Sequence, residues 1–264
     1  MARLAPLSRT ACIRIGCAGW SIPRDFAQSF PEPGTHLQRY ATGLNAVEIN
    51  SSFYRPHRAA TYARWASSVP TDFRFSVKVP KQITHERRLR DASDAVAAFV
   101  TAVQSLGDRL GCLLVQLPPS LAFDAVVAES FFVHLRHAFA GPVVCEPRHG
   151  SWFSAEAEVL LRMHEVGRVA ADPAPHAGAA QPSASDRIRY YRLHGSPQMY
   201  YSSYDMAFLA ELATRFRSAS ESAEETWCIF DNTAQGAATE NALQLQALIA
   251  QQSAAGASSV CTLP

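Results

Sequence analysis

Short apolar runs alternate with amphipathic stretches along the whole chain. Eight of the runs have the length and the β-branched or aromatic content of buried strands. They occupy residues 13–17, 46–49, 73–79, 112–117, 143–146, 168–171, 188–193 and 226–230. Their starts lie about 20 to 40 residues apart, which leaves room for a helix that returns the chain to begin a parallel neighbour. The pattern therefore predicts an α/β fold with parallel strands.

The stretches between these runs carry helical patterns. Val96, Phe99 and Val103 recur with the 3.6-residue period of a helix, which Gly107 is expected to end. Ser154 is expected to cap a second helix, because a hydroxyl at that position accepts from a free backbone N–H. The apolar stripe predicted for this second helix consists of Val159, Leu160, Met163 and Val166.

Eight strand–helix units of this length predict a TIM-like (β/α)8 barrel rather than a doubly wound sheet. The crossover between the sixth and seventh strands, residues 172–186, is rich in Pro, Ala and Ser and has no helical stripe. We expect it to lack a regular helix and to form a surface loop that could close over a site. A single domain is predicted over residues 1–264, with a core of about 13–250 and flexible ends at 1–12 and 251–264.

Composition narrows the classes of partner. The formal net charge is +1 and 48% of the residues are hydrophobic. With so little net charge, no overall field would attract nucleic acid or an anionic membrane. No apolar run approaches the roughly 20 residues that span a bilayer. Four of the six cysteines fall in or beside strand-like runs, which favours buried reduced thiols and a cytoplasmic protein, while the oligomeric state stays open.

Polar side chains follow almost every predicted strand at its carboxyl end. The clearest case is VVCEPRHGSW, where a buried run ends in Glu146 and Arg148. Side chains alternate along an extended chain, so these two should lie on one side. In a TIM barrel the carboxyl ends of the strands form the face that holds the active site. A polar pocket is therefore predicted there. The structural alternative is that Glu48, Lys78, Glu146 and Arg192 simply pair inside the barrel.

Several segments carry a family resemblance through their order and spacing. They read GCAGWS, VEINSSFYR, FRFSVKVPKQITH, LLVQLPPS, EPRHGSW, YRLHG and FDNTAQGAATENA. From about residue 13 to about residue 249 the chain resembles the domain-of-unknown-function 72 family (YecE-like proteins). This resemblance implies a TIM-barrel-like fold and no settled activity. The family positions here are Trp20, Glu48, Asn50, Tyr54, Lys78, Thr84, His85, Gln116, Glu146, Arg148, His149, Trp152, Arg192, His194 and Asn232. The family pattern usually has Asn where this chain has Asp231.

An enzyme acting on a small anionic molecule is the first functional hypothesis. Lysine and arginine at the strand ends can donate to a carboxylate or a phosphate, and nearby carboxylates or imidazoles can move protons. The catalytic candidates are Glu48, Glu146 and His194. The substrate-binding candidates are Trp20, Asn50, Tyr54, Lys78, His85, Gln116, Arg148, His149, Arg192 and Asn232. No GxGxxG or GxxxxGK[ST] motif follows a strand, so no nucleotide cofactor is predicted.

Two other classes of function stay open. A metal-dependent hydrolase or isomerase would use Glu48, Glu146, Asp172 and His194 as ligands of Mn²⁺, Mg²⁺ or Zn²⁺. Neighbouring cations and the lack of an HExxH motif disfavour it, so no metal is predicted and a divalent ion is kept as the alternative. A noncatalytic ligand- or nucleic-acid-binding module could stack bases on Trp20, although no basic stripe supports it. Glycoside hydrolysis by two glutamates is disfavoured, because neighbouring cations lower the pKa that a general acid needs raised.

Overall fold

The computed structural model describes residues 12–219 and 225–259, which form parallel strands and seven α-helices. The strands are β1 (Cys12–Cys17), β2 (Ala46–Ile49), β3 (Arg74–Lys78), β4 (Leu110–Gln116), β5 (Val143–Glu146), β6 (Val166–Arg168), β7 (Ala170–Asp172), β8 (Ile188–Leu193) and β9 (Glu225–Phe230). One sheet has the order β1-β9-β8-β7 and the other β2-β3-β4-β5-β6. The predicted α/β fold with parallel strands is therefore confirmed.

The described strands form two sheets rather than the one closed barrel that the sequence predicts. The sixth predicted strand is split at Val169 into β6 and β7, which belong to different sheets. The backbone N–H of Val169 still donates to β5 at 2.8 Å, whereas the next three residues pair with β8. At the other junction, a single parallel bridge joins Ala18 to Glu48, because Gly19 (φ +97°) turns the chain out of the extended conformation. The two sheets adjoin at these two places.

Helices follow most of the strands. They are α1 (His36–Gly43), α2 (Ala59–Ser67), α3 (Ser93–Val103), α4 (Ala125–Ala138), α5 (Ala155–Met163), α6 (Met206–Ala219) and α7 (Ala237–Ser259). Ser154 caps α5 as predicted, since its hydroxyl accepts a first-turn backbone N–H at 3.2 Å. The stripe predicted for this helix is half right, because Leu160 is buried but Val159 and Met163 are exposed. Val166 lies in β6, so the helix is shorter than predicted.

The crossover from β7 to β8 contains one 3₁₀ turn, Ala177–Ala180, and no α-helix, as predicted. It begins with a cis peptide bond between Asp172 and Pro173. Of the ends predicted to be flexible, residues 1–11 and 260–264 lie outside the described part of the chain. Strand β1 starts at Cys12 and α7 continues to Ser259, so regular structure extends beyond the predicted core limits.

The strands separate two apolar clusters. Val47 and Ile49 of β2 belong to the large core that includes the helices, whereas Ala46 belongs to a smaller cluster. The smaller cluster consists of Ala46, Cys112, Leu114, Val144, Val169, Ile188, Tyr190, Trp227 and Ile229. Alternation along β2 places Glu48 on the same side as Ala46, one step nearer the carboxyl end. The same side of the strands therefore carries the smaller cluster and, nearer the carboxyl ends, the polar residues.

The state of the cysteines and the lengths of the described helices agree with what the composition predicts. The five described cysteines are free, and four of them (Cys17, Cys112, Cys145 and Cys228) are buried. Within residues 12–219 and 225–259, no helix has the length and apolar character needed to cross a bilayer.

Candidate functional site

Arg192 of β8 is the centre of a buried ionic network at the carboxyl ends of the strands. Its guanidinium binds Glu48 in bidentate fashion, with Nε 3.0 Å from Oε2 and Nη2 2.8 Å from Oε1. Nη1 donates to Glu146 Oε2 at 2.7 Å, and Nη2 also donates to Asp231 Oδ2 at 2.9 Å. Burying an unpaired charge costs free energy, so each of these four side chains needs the opposite charge of its partners. Arg192 thereby connects β8 to β2, β5 and the residue after β9.

Glu146 at the end of β5 is held by four donors. Gln116 Nε2 and Arg192 bond to Oε2, the former at 2.8 Å. Arg148 and His194 approach Oε1 at 3.2 and 3.1 Å. Burial alone would raise the pKa of Glu146, but Arg192, His194 and Arg148 outweigh it and hold that pKa well below its ordinary value. Glu146 is therefore ionised and has no lone pair left over, and it anchors its neighbours rather than acting as a free base.

Glu48 lies deeper in the network and is fully buried. Besides the guanidinium of Arg192, its Oε2 has the phenol oxygen of Tyr190 at 3.0 Å. The same phenol lies 2.8 Å from the hydroxyl of Ser76 in β3. A carboxylate enclosed by these partners has no route to a substrate that approaches from the strand ends. Glu48, Glu146 and Arg192 therefore pair with one another, which is the structural alternative that the sequence left open.

His194 is placed between two carboxylates. Its Nδ1 lies 3.1 Å from Asp231 Oδ2 and its Nε2 lies 3.1 Å from Glu146 Oε1. Burial opposes the charged form, but the hydrogen bonds to Asp231 and Glu146 prevail and raise the pKa of His194. In the protonated ring both nitrogens donate, since an ionised carboxylate can only accept. The surroundings of His194 therefore favour the imidazolium.

Lys78, at the end of β3, differs from the other cations of the site. Its ammonium lies 4.3 Å from the centre of the Phe53 ring. Within the described residues no hydrogen bond or ion pair joins Nζ to a carboxylate. Burial and the charge of Arg192 lower the pKa of Lys78 to about 8, although Glu48, Glu146 and Asp231 pull it upward. Lys78 is therefore a buried amine whose N–H groups, in the described part of the chain, donate to none of the three neighbouring carboxylates.

His85 is a second group with a perturbed pKa at this face. Its ring contacts Phe53 edge-on, with 4.9 Å between the ring centres, so it is a neighbour of Lys78. Burial, followed by the charges of Lys78, Arg148 and Lys81, lowers the pKa of His85. The hydroxyl of Thr84 donates to a backbone carbonyl and lies 2.8 Å from His85 Nδ1. In the tautomer with its proton on Nδ1, His85 donates to this hydroxyl and has its lone pair on Nε2.

Arg148 is the part of the network closest to solvent, with 23% of its side chain exposed. The phenol of Tyr200, on the loop after β8, is close enough to interact with this guanidinium. Gly195 (φ +92°) begins this loop, and a Cβ there would lie 2.8 Å from Ser202 O, so the turn requires glycine. The ring of Tyr200 also lies edge-on to His194, with 5.9 Å between the centres. The loop therefore covers one side of the network.

A cavity of about 260 Å³ opens beside these residues. Its polar lining residues are Glu146, Arg148 and His194. Its apolar lining residues are Pro119, Ala171, Pro173, Ala174, Pro175 and Met199. A pocket that combines a few polar groups with apolar walls fixes the orientation of a small molecule while burying its carbon atoms.

The structure brings together some predicted site residues and separates others. Glu48, Lys78, Gln116, Glu146, Arg148, Arg192 and His194 are in or beside the network, and His85 adjoins it. Trp20 instead packs edge-on against Trp65, and Tyr54 is 71% exposed on the loop after β2. His149 caps a 3₁₀ turn by accepting from Ser151 N at 3.2 Å. Asn232 donates to Ser202 O and to Asn241, so it supports the loop after β8. Asn50 follows β2, and its Oδ1 is buried without a described partner.

The alternative set of metal ligands is not arranged around a common point. Glu48 and Glu146 bind Arg192, and Asp172 accepts from the phenol of Tyr204 at 2.8 Å. Across residues 12–219 and 225–259, no group of three or more His, Cys, Asp or Glu side chains has a geometry that could hold a metal ion. The described residues therefore give no support to the metal-dependent alternative.

Four residues of the site were not among the candidates from the sequence. Ser76 and Tyr190 lie two positions before Lys78 and Arg192, so the alternation along β3 and β8 was the signal that could have identified them. Asp231 lies two positions after Ile229 of the inner cluster, which gives the same signal. Tyr200 comes from a loop, where no periodicity indicates direction.

Comparison with known sequences places the chain among proteins of undefined activity. The profile of a family described as "Protein of unknown function DUF72" matches residues 14–261. The UPF0759 protein YecE of Escherichia coli (strain K12) is 33% identical over 183 residues, which cover 67% of this chain and 64% of that protein. The UPF0759 protein YunF of Bacillus subtilis (strain 168) is 27% identical over 150 residues, 54% of this chain and 52% of that one. The matches thus span less than two thirds of the length of these relatives.

Solved structures show the same fold at lower sequence identity. A DUF72 family protein from Thermotoga maritima superimposes with a TM-score of 0.75 at 24% identity, over 90% of this chain and 99% of that chain. A DUF72 family protein from Enterococcus faecalis gives a TM-score of 0.74 at 23% identity, over 92% and 99% of the two chains. At this level of identity the likeness concerns the fold alone.

Proposed function

The chain belongs to the DUF72 family, whose description records no activity, and we propose from its site that it binds and transforms a small anionic molecule. One observation carries the proposal. Among the described residues of the network, four cationic side chains accompany three carboxylates. The cations are Lys78, Arg148, Arg192 and His194, and the carboxylates are Glu48, Glu146 and Asp231. One positive charge is left over, and an anion would compensate it.

Two cations of the network have donors that its carboxylates do not use. Glu48, Glu146 and Asp231 are already bonded to Arg192, His194 or both, whereas the ammonium of Lys78 bonds to none of them. Arg148 donates from Nη2 to Glu146, and its side chain lines the cavity. A planar guanidinium suits a carboxylate or a phosphate, because two of its N–H groups can donate in parallel.

The apolar walls restrict the kind of anion. Pro119, Pro173 and Met199 line the cavity together with Arg148. A volume of about 260 Å³ accommodates a metabolite of modest size and excludes a folded macromolecule. The proposed ligand is therefore a compact molecule with one anionic group and an apolar part. His85, with its free Nε2 lone pair, is the group that would move a proton during the reaction.

We propose also that the two sheets act as one TIM-like barrel. The sheets adjoin at Val169 and at the bridge between Ala18 and Glu48, and the inner apolar cluster draws residues from both. In barrels of this kind the active site lies at the carboxyl ends of the strands, which is where the network and the cavity are found. The location thus supports a binding site independently of the charge balance.

Thermal unfolding in the presence of small anions tests the binding proposal. Inorganic phosphate, sulfate and short carboxylic acids are added to the full chain and to the variants Arg148→Ala and Arg162→Ala. A ligand at ten times its Kd stabilises the folded state by about 1.4 kcal/mol, which raises the Tm by roughly 3–5 °C for a chain of this size. Arg162 pairs with Glu158 on the exposed side of α5 and bonds to no residue of the network, so it provides the matched control.

We expect at least one class of anion to raise the Tm of the wild type and of the Arg162→Ala variant, and to have little effect on Arg148→Ala. An equal shift in all three proteins would mean that the anion acts on the whole surface. No shift with any anion would remove the basis of the proposal.

A further inference from the structure

We propose that the ligand of the cavity beside Arg148 is a monocarboxylic acid whose remaining part is a hydrocarbon, an inference that rests on the anion site proposed above. Such an acid carries one negative charge and no other hydrogen-bonding group. Phosphate esters, amino acids and hydroxylated acids are anionic as well, but they would be poor ligands. The size of the charge surplus and the chemistry of the residues that line the cavity lead to this choice.

The charge surplus fits a single negative charge. The described residues of the network comprise four cations and three carboxylates, so at neutral pH no more than one positive charge is left over. A carboxylate compensates that charge and leaves the network neutral. A phosphate monoester carries about −1.5 to −2 at pH 7, so it would leave excess negative charge beside Glu146. Since like charges repel strongly where water is excluded, the balance favours a carboxylate over a phosphate.

The polar lining residues leave a ligand few hydrogen bonds. Gln116 and Arg192 bond to one oxygen of Glu146, and Arg148 and His194 approach the other. Both ring nitrogens of His194 lie 3.1 Å from a carboxylate oxygen. A guanidinium has five N–H groups, and the hydrogen bond from Arg148 to Glu146 uses one of them. Once a carboxylate has bound to Arg148, a second polar group on the ligand would lack a partner among these side chains.

The apolar lining residues cannot supply that partner. They are Pro119, Ala171, Pro173, Ala174, Pro175 and Met199. None of their side chains has an N–H or O–H group, and a proline also lacks the backbone N–H. A hydroxyl or ammonium group buried here would lose its hydrogen bonds to water without replacement, whereas a hydrocarbon gains from leaving water. The lining therefore favours a ligand body without polar atoms.

Calorimetry with phenylacetate and three matched compounds tests the inference. Para-hydroxyphenylacetate keeps the carboxylate and the ring and adds one hydroxyl, and phenylglycine adds an ammonium group. Phenyl phosphate carries the same ring on a group with nearly two negative charges. Each compound is titrated at pH 7 into the full chain and into its variants Arg148→Ala and Arg162→Ala.

We expect phenylacetate to bind the wild type and Arg162→Ala equally well, and Arg148→Ala at least tenfold more weakly. An apolar pocket rejects an added hydroxyl by roughly ten- to a hundredfold, so each matched compound should bind the wild type at least tenfold more weakly than phenylacetate. Equal affinity for para-hydroxyphenylacetate or phenylglycine would overturn the hydrocarbon body. Binding of phenyl phosphate as tight as that of phenylacetate would overturn the choice of a carboxylate.

Met199→Gln changes the lining without changing the charges. Its amide would offer a donor and an acceptor, so the preference for phenylacetate over para-hydroxyphenylacetate should narrow at least threefold. Met206→Gln is the matched control, because Met206 is likewise partly exposed but lies in α6 and does not line the cavity. It should keep the wild-type preference. An unchanged preference in Met199→Gln would refute the placement of the ligand body in this cavity.

The results for the two proposals can be told apart. If phenyl phosphate, phosphate or sulfate binds in a manner that requires Arg148 and phenylacetate does not, the monocarboxylic acid is refuted and the anion site stands. If phenylacetate binds equally well to Arg148→Ala, the recognition of its carboxylate by Arg148 is refuted. If none of these anions binds to the wild type, both proposals fail.

Discussion

Replacement of Lys78 by methionine should make the protein more stable at neutral pH. The variant removes a buried ammonium and keeps an unbranched side chain of similar length. The three carboxylates of the network lose no hydrogen bond, because Arg192, His194, Arg148 and Gln116 supply their donors. The effect on stability should therefore follow from the charge on Lys78 alone.

The magnitude follows from the difference between the ordinary pKa of 10.5 and the value of about 8 in the folded protein. Each pKa unit corresponds to about 1.4 kcal/mol, so the charged form is disfavoured by about 3 kcal/mol on folding. At pH 7 the lysine is mainly protonated in both states and the whole penalty applies. Some of the gain will be lost to imperfect packing of methionine, so we expect a stabilisation of about 1–3 kcal/mol.

The dependence on pH identifies the cause. Since the unfolded state binds more protons between pH 8 and 10.5, the stability of the wild type rises relative to Lys78→Met as the pH increases through that range. By pH 9.5 the penalty falls from about 3 to about 1 kcal/mol. The advantage of the variant should therefore shrink by about 2 kcal/mol between pH 7 and pH 9.5.

Urea unfolding at the two pH values, followed by tryptophan fluorescence, measures this difference. Lys81→Met is the matched control, because Lys81 lies three residues further along the chain and is exposed; its effect should stay within about 0.5 kcal/mol at both pH values. A Lys78→Met variant that is less stable than the wild type at pH 7, or whose advantage does not change with pH, would refute the reasoning. The ammonium would then have a partner that stabilises its charge.

Three further substitutions test the network and the fold. Glu146→Gln leaves Arg192, His194 and Arg148 without their shared carboxylate, so we expect a loss of about 3–5 kcal/mol in urea unfolding at pH 7. The pKa of Glu146 is lowered in the folded state, so its contribution is complete above its ordinary pKa and is lost as the pH falls toward the lowered value; the deficit of the variant should narrow below pH 4. Tyr190→Phe removes the hydroxyl between Glu48 and Ser76 and should cost about 1–2 kcal/mol, whereas the exposed Tyr54→Phe should be neutral. Ser154→Ala removes the cap of α5 and should cost about 1 kcal/mol; a cost near zero would mean that the cap does not stabilise this helix.

Alternation along the strands made the centre of the site predictable. Glu48, Lys78 and Arg192 lie at the ends of separate apolar runs, and a parallel arrangement brings such ends to one face. Tyr190 and Ser76 lie on the same side of their strands as Arg192 and Lys78. They were overlooked because they lie inside the apolar runs rather than at their ends. A polar residue within a buried strand is as informative as one at its end, since it also needs a partner.

The positions that the sequence did not predict depend on turns and on pairing between strands. Trp20, Tyr54 and His149 follow their strands by several residues, and the intervening turns direct them away from the network. Tyr200 reaches Arg148 because of the path of a loop that begins at Gly195. The strand is broken at Val169 because the residues before it pair with β5 and those after it pair with β8. No local sequence pattern indicates this pairing.

Anion binding at the network should depend on pH through Lys78. A carboxylate binds best when the ammonium is charged, so the affinity for a short carboxylic acid should fall as the pH rises through about 8, the pKa of Lys78. Calorimetry on the wild type and on Lys78→Met measures this dependence, which the variant should lack. A wild-type affinity that stays constant over this interval, or a variant that shows the same fall, would mean that a group other than Lys78 governs the binding of the anion.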